Sequence, residues 1–197
     1  MLKTKTQSLH KRHSALAESN RQLEILSNGI FKNGELSTFA QKIEETGQFP
    51  LRPRTLEILQ INVGYMCNQV CEHCHVDAGP DRTEIMTKDT MMLCLDVIKN
   101  TKAHTLDLTG GAPEMNPNFR WFVDEASKAG IKDFIVRSNL TIIRANKKYH
   151  DLPQFFKDHN VHVVSSMPHW TRGKTDKQRG DGVFDKSIKA LQDLNAI

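Results

Sequence analysis

From residue 55 onward the chain alternates short runs with a two-residue hydrophobic period and segments with a helical period, at intervals of roughly 30 residues, the length of a βα unit. In Leu56–Val63, LEILQINV, Gln60 and Asn62 fall on one face and Leu59, Ile61 and Val63 on the other. In Thr105–Thr109, TLDLT, Asp107 and Thr109 oppose Leu106 and Leu108. Asp133–Asn139 and Val161–Met167 complete four predicted strands. Helices are predicted over Lys88–Lys99, Pro117–Ala129, Pro153–Asp158 and Phe184–Leu194. The second opens on Asn116 and Pro117, a capping residue and a first-turn proline, and stops at Gly130. The last places Phe184, Ile188, Leu191 and Leu194 on one face.

Repeated βα units give a parallel sheet, either doubly wound or curled toward a barrel. Strands covered on both faces are apolar nearly throughout. These become polar toward their C-terminal ends, at Arg137-Ser138-Asn139 and Ser165-Ser166 for the later two. A (β/α) barrel builds its active site from those ends, several strands at once. The expected fold is therefore α/β, an incomplete (β/α) barrel of four βα units over residues 51–197. A helical extension precedes it over residues 1–50, with weak helical patterns in residues 14–29 and 35–47, each ending at a glycine.

Composition narrows the function classes. The 197 residues suit one well-buried domain. Basic residues exceed acidic ones by 27 − 23 = 4, too mild an excess to argue for nucleic acid. The basic N-terminus lacks the apolar core of a signal peptide, and no run reaches the length of a membrane span, so the chain reads as cytoplasmic with no membrane partner. His10 and His13, among lysines, read as solvated. Four cysteines in such a chain point to metal ligation, catalysis or core packing ahead of disulfides. Cys94 lies in MMLCLDVIKN at helical spacing with Met91, Leu95 and Ile98, so it reads as a small core residue.

The other three cysteines share CNQVCEHCHVDAGP, residues 67–80, in the loop after the first strand. Three metal chemistries fit that segment. Its CxxCH would attach a c-type haem, which needs export and an apolar pocket. Cys67, Cys71, Cys74 and His75 would close a zinc tetrahedron, although the second knuckle typical of structural zinc is missing. Three thiolates on a four-iron cluster leave one iron open to a small molecule. A zinc-stapled binding module stays an alternative to the cluster on residue chemistry alone.

The C-x3-C-x2-C spacing after the first strand, with Thr109-Gly110-Gly111-Ala112-Pro113-Glu114 after the second, resembles the radical S-adenosylmethionine (SAM) superfamily. More narrowly, LEILQINVGYMCNQVCEHCHVDAGPDRTEIM, LDLTGGAPEMNP, RSNLT and KQRGDGVFDKSI look like the arsenosugar biosynthesis radical SAM protein family, from about Pro50 to the end and, more loosely, from about Thr38. In that family GGAPE stands where most of the superfamily has GGE. His73 stands where the superfamily often has an aromatic, and Pro168-His169-Trp170 where the family is expected to have a cysteine after the proline.

The resemblance implies a [4Fe-4S] cluster on Cys67, Cys71 and Cys74, with SAM on its open iron. It places the His73 backbone against the adenine, Gly110 and Gly111 near the SAM amino group with Glu114 interacting electrostatically, and Ser138, Asn139 and Ser166 on ribose hydroxyls or the methionine carboxylate. His75 would hydrogen-bond near a cluster sulfur. His169 would touch substrate or be a surface-loop histidine. The loop TRGKTDKQRGDG reads as a mobile cover or as a solvated segment.

An electron from a low-potential donor protein would cleave SAM to methionine and a 5′-deoxyadenosyl radical. The radical would then add to a small-molecule substrate, a trivalent methylated arsenical. The resemblance also implies six barrel units where four are encoded. The strand Val161–Met167 would then be an open edge prone to aggregation. The chain is on that expectation a truncated or split product, poorly active by itself, with a separate C-terminal fragment as partner.

Overall fold

The computed structural model describes residues 7–28, 37–52 and 54–197. Leu9–Leu56 forms one compact unit, and Glu57–Ile197 together with Ser8 forms another. The first unit holds α1 (Ser19–Asn28) and α2 (Phe39–Glu45). Thr38 begins α2 with a capping box: its hydroxyl accepts the Gln41 N–H while the Gln41 side chain accepts the Thr38 N–H. The expected stop at Gly29, and residues 35–36 of the second expected helix, lie outside the described residues. His10 and His13 are exposed.

The larger unit is a four-stranded parallel sheet in the order β1 (Ile58–Asn62), β2 (Thr105–Thr109), β3 (Asp133–Ser138), β4 (Val161–Ser165). Between the strands run α3 (Lys88–Asn100), α4 (Phe119–Lys128) and α5 (Leu152–Asp158), and after them α6 (Arg172–Arg179) and α7 (Val183–Asn195). Sequential strand order with a helix in every crossover is the curl of a barrel wall and not the reversal of a doubly wound sheet.

Register explains the two faces. Gln60 pairs with Asp107, Asp107 with Ile135, and Ile135 with His162, so these lie on one face. Leu106, Leu108, Phe134 and Val136, on the other, are fully buried under Met91, Leu95, Phe119, Phe122 and Val123 of α3 and α4. Burying a side chain of this size contributes about 1.5–3 kcal/mol, so the helix-covered face carries the fold. Its opposite carries a polar ladder. Gln60 Nε2 donates to Asp107 Oδ2 at 2.7 Å, and Arg137 Nε and Nη2 donate to the same carboxylate at 2.9 and 2.7 Å. The Asp107 side chain is 5% exposed, so the guanidinium is what makes a buried charge tolerable there.

Several expected boundaries shift. β1 is shorter than Leu56–Val63 and β4 ends at Ser165, because the flanking residues leave the ladder for loops. The 117–129 helix starts at Phe119, since Asn116 Oδ1 accepts the Asn118 N–H and holds a turn before it. In α7 the buried positions are Val183, Ser187 and Ala190, small residues that let the helix approach closely, while Phe184, Ile188, Leu191 and Leu194 are half-buried. Cys94 is half-buried against the core.

The segment expected as a mobile cover or a solvated loop instead forms the helix α6, with Thr175 and Arg179 buried. Thr175 donates its hydroxyl to the His169 carbonyl at 2.6 Å, and Asp176 Oδ1 and Oδ2 accept the N–H groups of Phe184 and Gly182 at 2.9 and 3.1 Å. No helix of the described residues is long and apolar enough to cross a membrane.

Candidate functional site

The cysteine loop is stitched down at its base. Met86 N–H donates to the Val63 carbonyl, Tyr65 N–H to that of Glu84 and Cys67 N–H to that of Gly79. Buried Arg82 braces the middle, donating to the Asp77 carbonyl at 2.8 Å, to Asp77 Oδ2 at 3.0 Å and to both Glu84 oxygens, with its guanidinium over the Tyr65 ring. The Arg82 hydrogen bonds hold the Glu84 carboxyl below its ordinary range.

The glycine segment after β2 is stitched to the same loop. Gly111 N–H donates to the Gly64 carbonyl and Ala112 N–H to that of Met66, both at 2.9 Å. Asn116 Nδ2 donates to the carbonyls of Val63 and Met86. A Cβ at Gly110 would stand 2.5 Å from the Gly64 carbonyl oxygen, and one at Gly111 would stand 2.4 Å from that of Met66. Gly110 also has φ +143°, a region side chains avoid. The close approach these glycines permit is therefore that of the chain's own cysteine loop. A Gly110→Val substitution would disrupt this backbone packing before it touched any ligand.

These segments enclose a cavity of about 190 Å³ at the C-terminal ends of β2, β3 and β4. Of the residues singled out from sequence, Cys67, Cys71, Cys74, His73, His75, Gly110, Gly111, Ser138, Asn139 and Ser166 line it. Glu114 and His169 are not among its lining residues. Glu114 is 5% exposed beside Ser138, with neither carboxylate oxygen in a hydrogen bond of normal geometry, and burial pushes its carboxyl up to about 7. His169 Nδ1 accepts from the Thr171 N–H at 3.0 Å, which makes His169 part of the turn into α6. Asn139 serves twice: Oδ1 accepts the Ile142 N–H, and Nδ2 donates to Asn68 Oδ1 at 2.8 Å and lies 3.5 Å from Cys67 Sγ.

Sulfur in this cavity faces donors. Besides Asn139, the Ala78 N–H donates to Cys74 Sγ at 3.3 Å and the Gln69 backbone N–H supports Cys67. Burial pushes the Cys67 thiol up to about 11 and raises that of Cys71, and the neighbouring sulfurs raise both further. Among the described residues, no three His, Cys, Asp or Glu side chains converge on the position of a single metal ion. Three thiolates from one loop are a donor set that a four-iron cluster takes, each on a different iron.

Arg179 and Gln69 are the residues that sequence reasoning missed. Arg179, 5% exposed, reaches from α6 to the cavity, where Nη1 donates to the Ser166 carbonyl and Nη2 to Gln69 Oε1 at 3.2 Å. The Glu72 N–H donates to the Gln178 carbonyl at 2.9 Å and ties the cysteine loop to the same helix end. The available signal was Thr175 and Arg179 four residues apart, one helix face, before the helix-stopping Gly180.

The chain is 25% identical over 140 residues to a protein of Saccharolobus islandicus named "Probable GTP 3',8-cyclase", covering 71% of this chain and 44% of that protein. It is 27% identical over 145 residues to the protein of the same name from Sulfolobus acidocaldarius, covering 73% and 44%. It is 27% identical over 133 residues to mycofactocin maturase MftC of Mycobacterium tuberculosis, covering 67% and 32%. The chain thus spans less than half the length of these curated relatives. No family model matches it.

Among solved structures, Streptococcus suis SuiB bound to precursor peptide SuiA superposes with a TM-score of 0.60 at 15% identity, covering 95% of this chain and 43% of that one. anSMEcpe with bound AdoMet gives 0.58 at 18% identity, covering 72% and 40%. The fold is that of an incomplete radical SAM barrel. The sequence relatives support the radical SAM superfamily as the class of protein.

Proposed function

We propose that this chain carries the cluster- and SAM-binding part of a radical SAM enzyme, with a [4Fe-4S] cluster on Cys67, Cys71 and Cys74. The observation that carries this reading is three cysteines of one loop lining a single cavity, met by N–H donors from Ala78, Asn139 and Gln69. When bound, the cluster supplies the electron that cleaves SAM to methionine and a 5′-deoxyadenosyl radical. The chain's own residues bind and orient. Ser138, Asn139 and Ser166 offer hydroxyl and amide groups to the ligand, Gly110 and Gly111 hold the wall in place, and Glu114, outside the cavity lining, is read as acting on the amino group of SAM electrostatically.

The substrate reading is a trivalent methylated arsenical, supported by the GGAPE and QRGDGVF resemblance, with a low-potential donor protein supplying the electron. The barrel part is read as residues 51–197, the preceding segment as a helical extension, and the whole as cytoplasmic. Anaerobic reconstitution, then incubation with SAM and a strong reductant, tests it through iron and sulfide content and through 5′-deoxyadenosine. Uptake of zinc in place of iron, with no SAM cleavage, refutes the enzyme reading. SAM cleavage without a carbon–arsenic product on adding dimethylated trivalent arsenic refutes the substrate alone.

A further inference from the structure

Buried donors without acceptors are costly, so their position is informative. Among the described residues two buried side-chain donor atoms lack any partner: Gln69 Nε2 and Arg179 Nε. Both belong to side chains that line the cysteine cavity, and the two side chains are bonded to each other through Gln69 Oε1. The same Oε1 is the hydrogen-bond partner of the Cys71 thiol, at 3.9 Å. Arg179 is also near enough to Cys71 for its charge to favour the thiolate. Among the described residues the hydrogen-bond acceptors of this guanidinium are a carbonyl and an amide oxygen, both neutral. A buried, permanently charged group paired with neutral acceptors, beside three sulfurs, is an arrangement that thiolate charge would complete.

We propose that Arg179, held by Gln69 and the Ser166 carbonyl, is a positioning residue that supplies positive charge and a sulfur-directed hydrogen bond at the Cys71 corner of the cluster and thereby raises its reduction potential. The proposal rests on the cluster reading above. A four-iron cluster on three thiolates becomes one unit more negative on reduction, so a fixed cation and donors to sulfur favour the reduced form. In this barrel wall the cation comes from α6, and the Glu72-to-Gln178 backbone bond fixes that helix end to the loop being tuned. The charged sequence RGKTDKQR thus contributes one buried side chain to the site while its lysines face solvent.

The experiment compares the full chain with Arg179→Met and Arg179→Lys after anaerobic reconstitution, reading iron and sulfide content first and then the midpoint potential by EPR-monitored titration. Arg179→Met should keep its iron and shift the one-electron reduction equilibrium at least tenfold toward the oxidised form, about 59 mV lower. Arg179→Lys, which keeps the charge, should recover most of the shift. Loaded Arg179→Met at the parent's potential overturns the proposal, and so does Arg179→Lys as displaced as the methionine variant, since packing and not charge would then be the cause. Should Arg179→Met fail to load, Gln69→Leu takes its place. Gln69→Leu removes one orphan donor and the group holding Arg179, and it should lower the equilibrium at least threefold; no shift there overturns the proposal. A parent chain that takes up no iron or sulfide instead overturns the cluster reading itself.

Discussion

Gly111→Ala isolates one contact between the two halves of the site. The new Cβ would meet the Met66 carbonyl oxygen at 2.4 Å, its carbon at 2.8 Å and the Tyr65 carbonyl oxygen at 2.9 Å. All three are backbone atoms, so no flexible side chain can swing aside. Reaching an ordinary contact requires the cysteine loop to recede by about 1 Å, and overpacking of that kind costs about 1–3 kcal/mol. The receding carbonyl is the one that accepts the Ala112 N–H at 2.9 Å. Weakening a bond of this kind in a buried place adds about 1–2 kcal/mol.

The sum, about 2–5 kcal/mol, corresponds to a fall in Tm of roughly 5–15 °C for a chain of this size. Thermal and urea unfolding followed by far-UV circular dichroism measure it. Gly173→Ala in α6 is the control. Its Cβ meets nothing within 4 Å, so helix propensity makes it neutral or stabilising by up to about 1 kcal/mol. Because Met66 adjoins Cys67, Gly111→Ala should also bind less iron than the control. Equal unfolding midpoints for Gly111→Ala and the parent would refute the argument that these segments are in forced contact.

Two further outcomes are expected. Cys71→Ala should lose most of the reconstituted iron and Cys94→Ala should keep it, because Cys94 packs against the core on α3 away from the cysteine loop; equal losses by iron assay would defeat the assignment. The raised Glu114 carboxyl gives a pH signature in the ligand-free protein: the folded state holds the proton more tightly than the unfolded one, so its contribution is full below about pH 4.5 and is lost as pH rises through about 7. Glu114→Gln should remove roughly 3 kcal/mol of that dependence between pH 5 and 8, read as the difference in urea unfolding free energy from the parent; a difference that does not change with pH would count against a buried, unpaired carboxylate.

What was legible in the sequence was local or periodic. The alternation of Gln60 and Asn62 with Leu59 and Ile61, and of Asp107 with Leu106 and Leu108, follows from the two-residue period of a strand and correctly separates the polar face from the helix-covered one. The cysteine spacing and the glycine pair are compact motifs, and they meet in space because consecutive parallel strands are neighbours and both loops leave at the same end of the sheet. The helical character of residues 172–179 was hidden by their charge, since a helix that buries only a threonine and the stem and head of an arginine shows no apolar stripe. Arg179 meets Gln69 across 110 residues of chain, a separation no local pattern encodes. The partners of Gly110 and Gly111 are equally out of reach of pattern: the glycines announce a tight place, but only the packed loop shows that the Gly64 and Met66 carbonyls fill it. Period and spacing are properties of the chain, whereas which buried donor lacks an acceptor depends on every segment that closes around it.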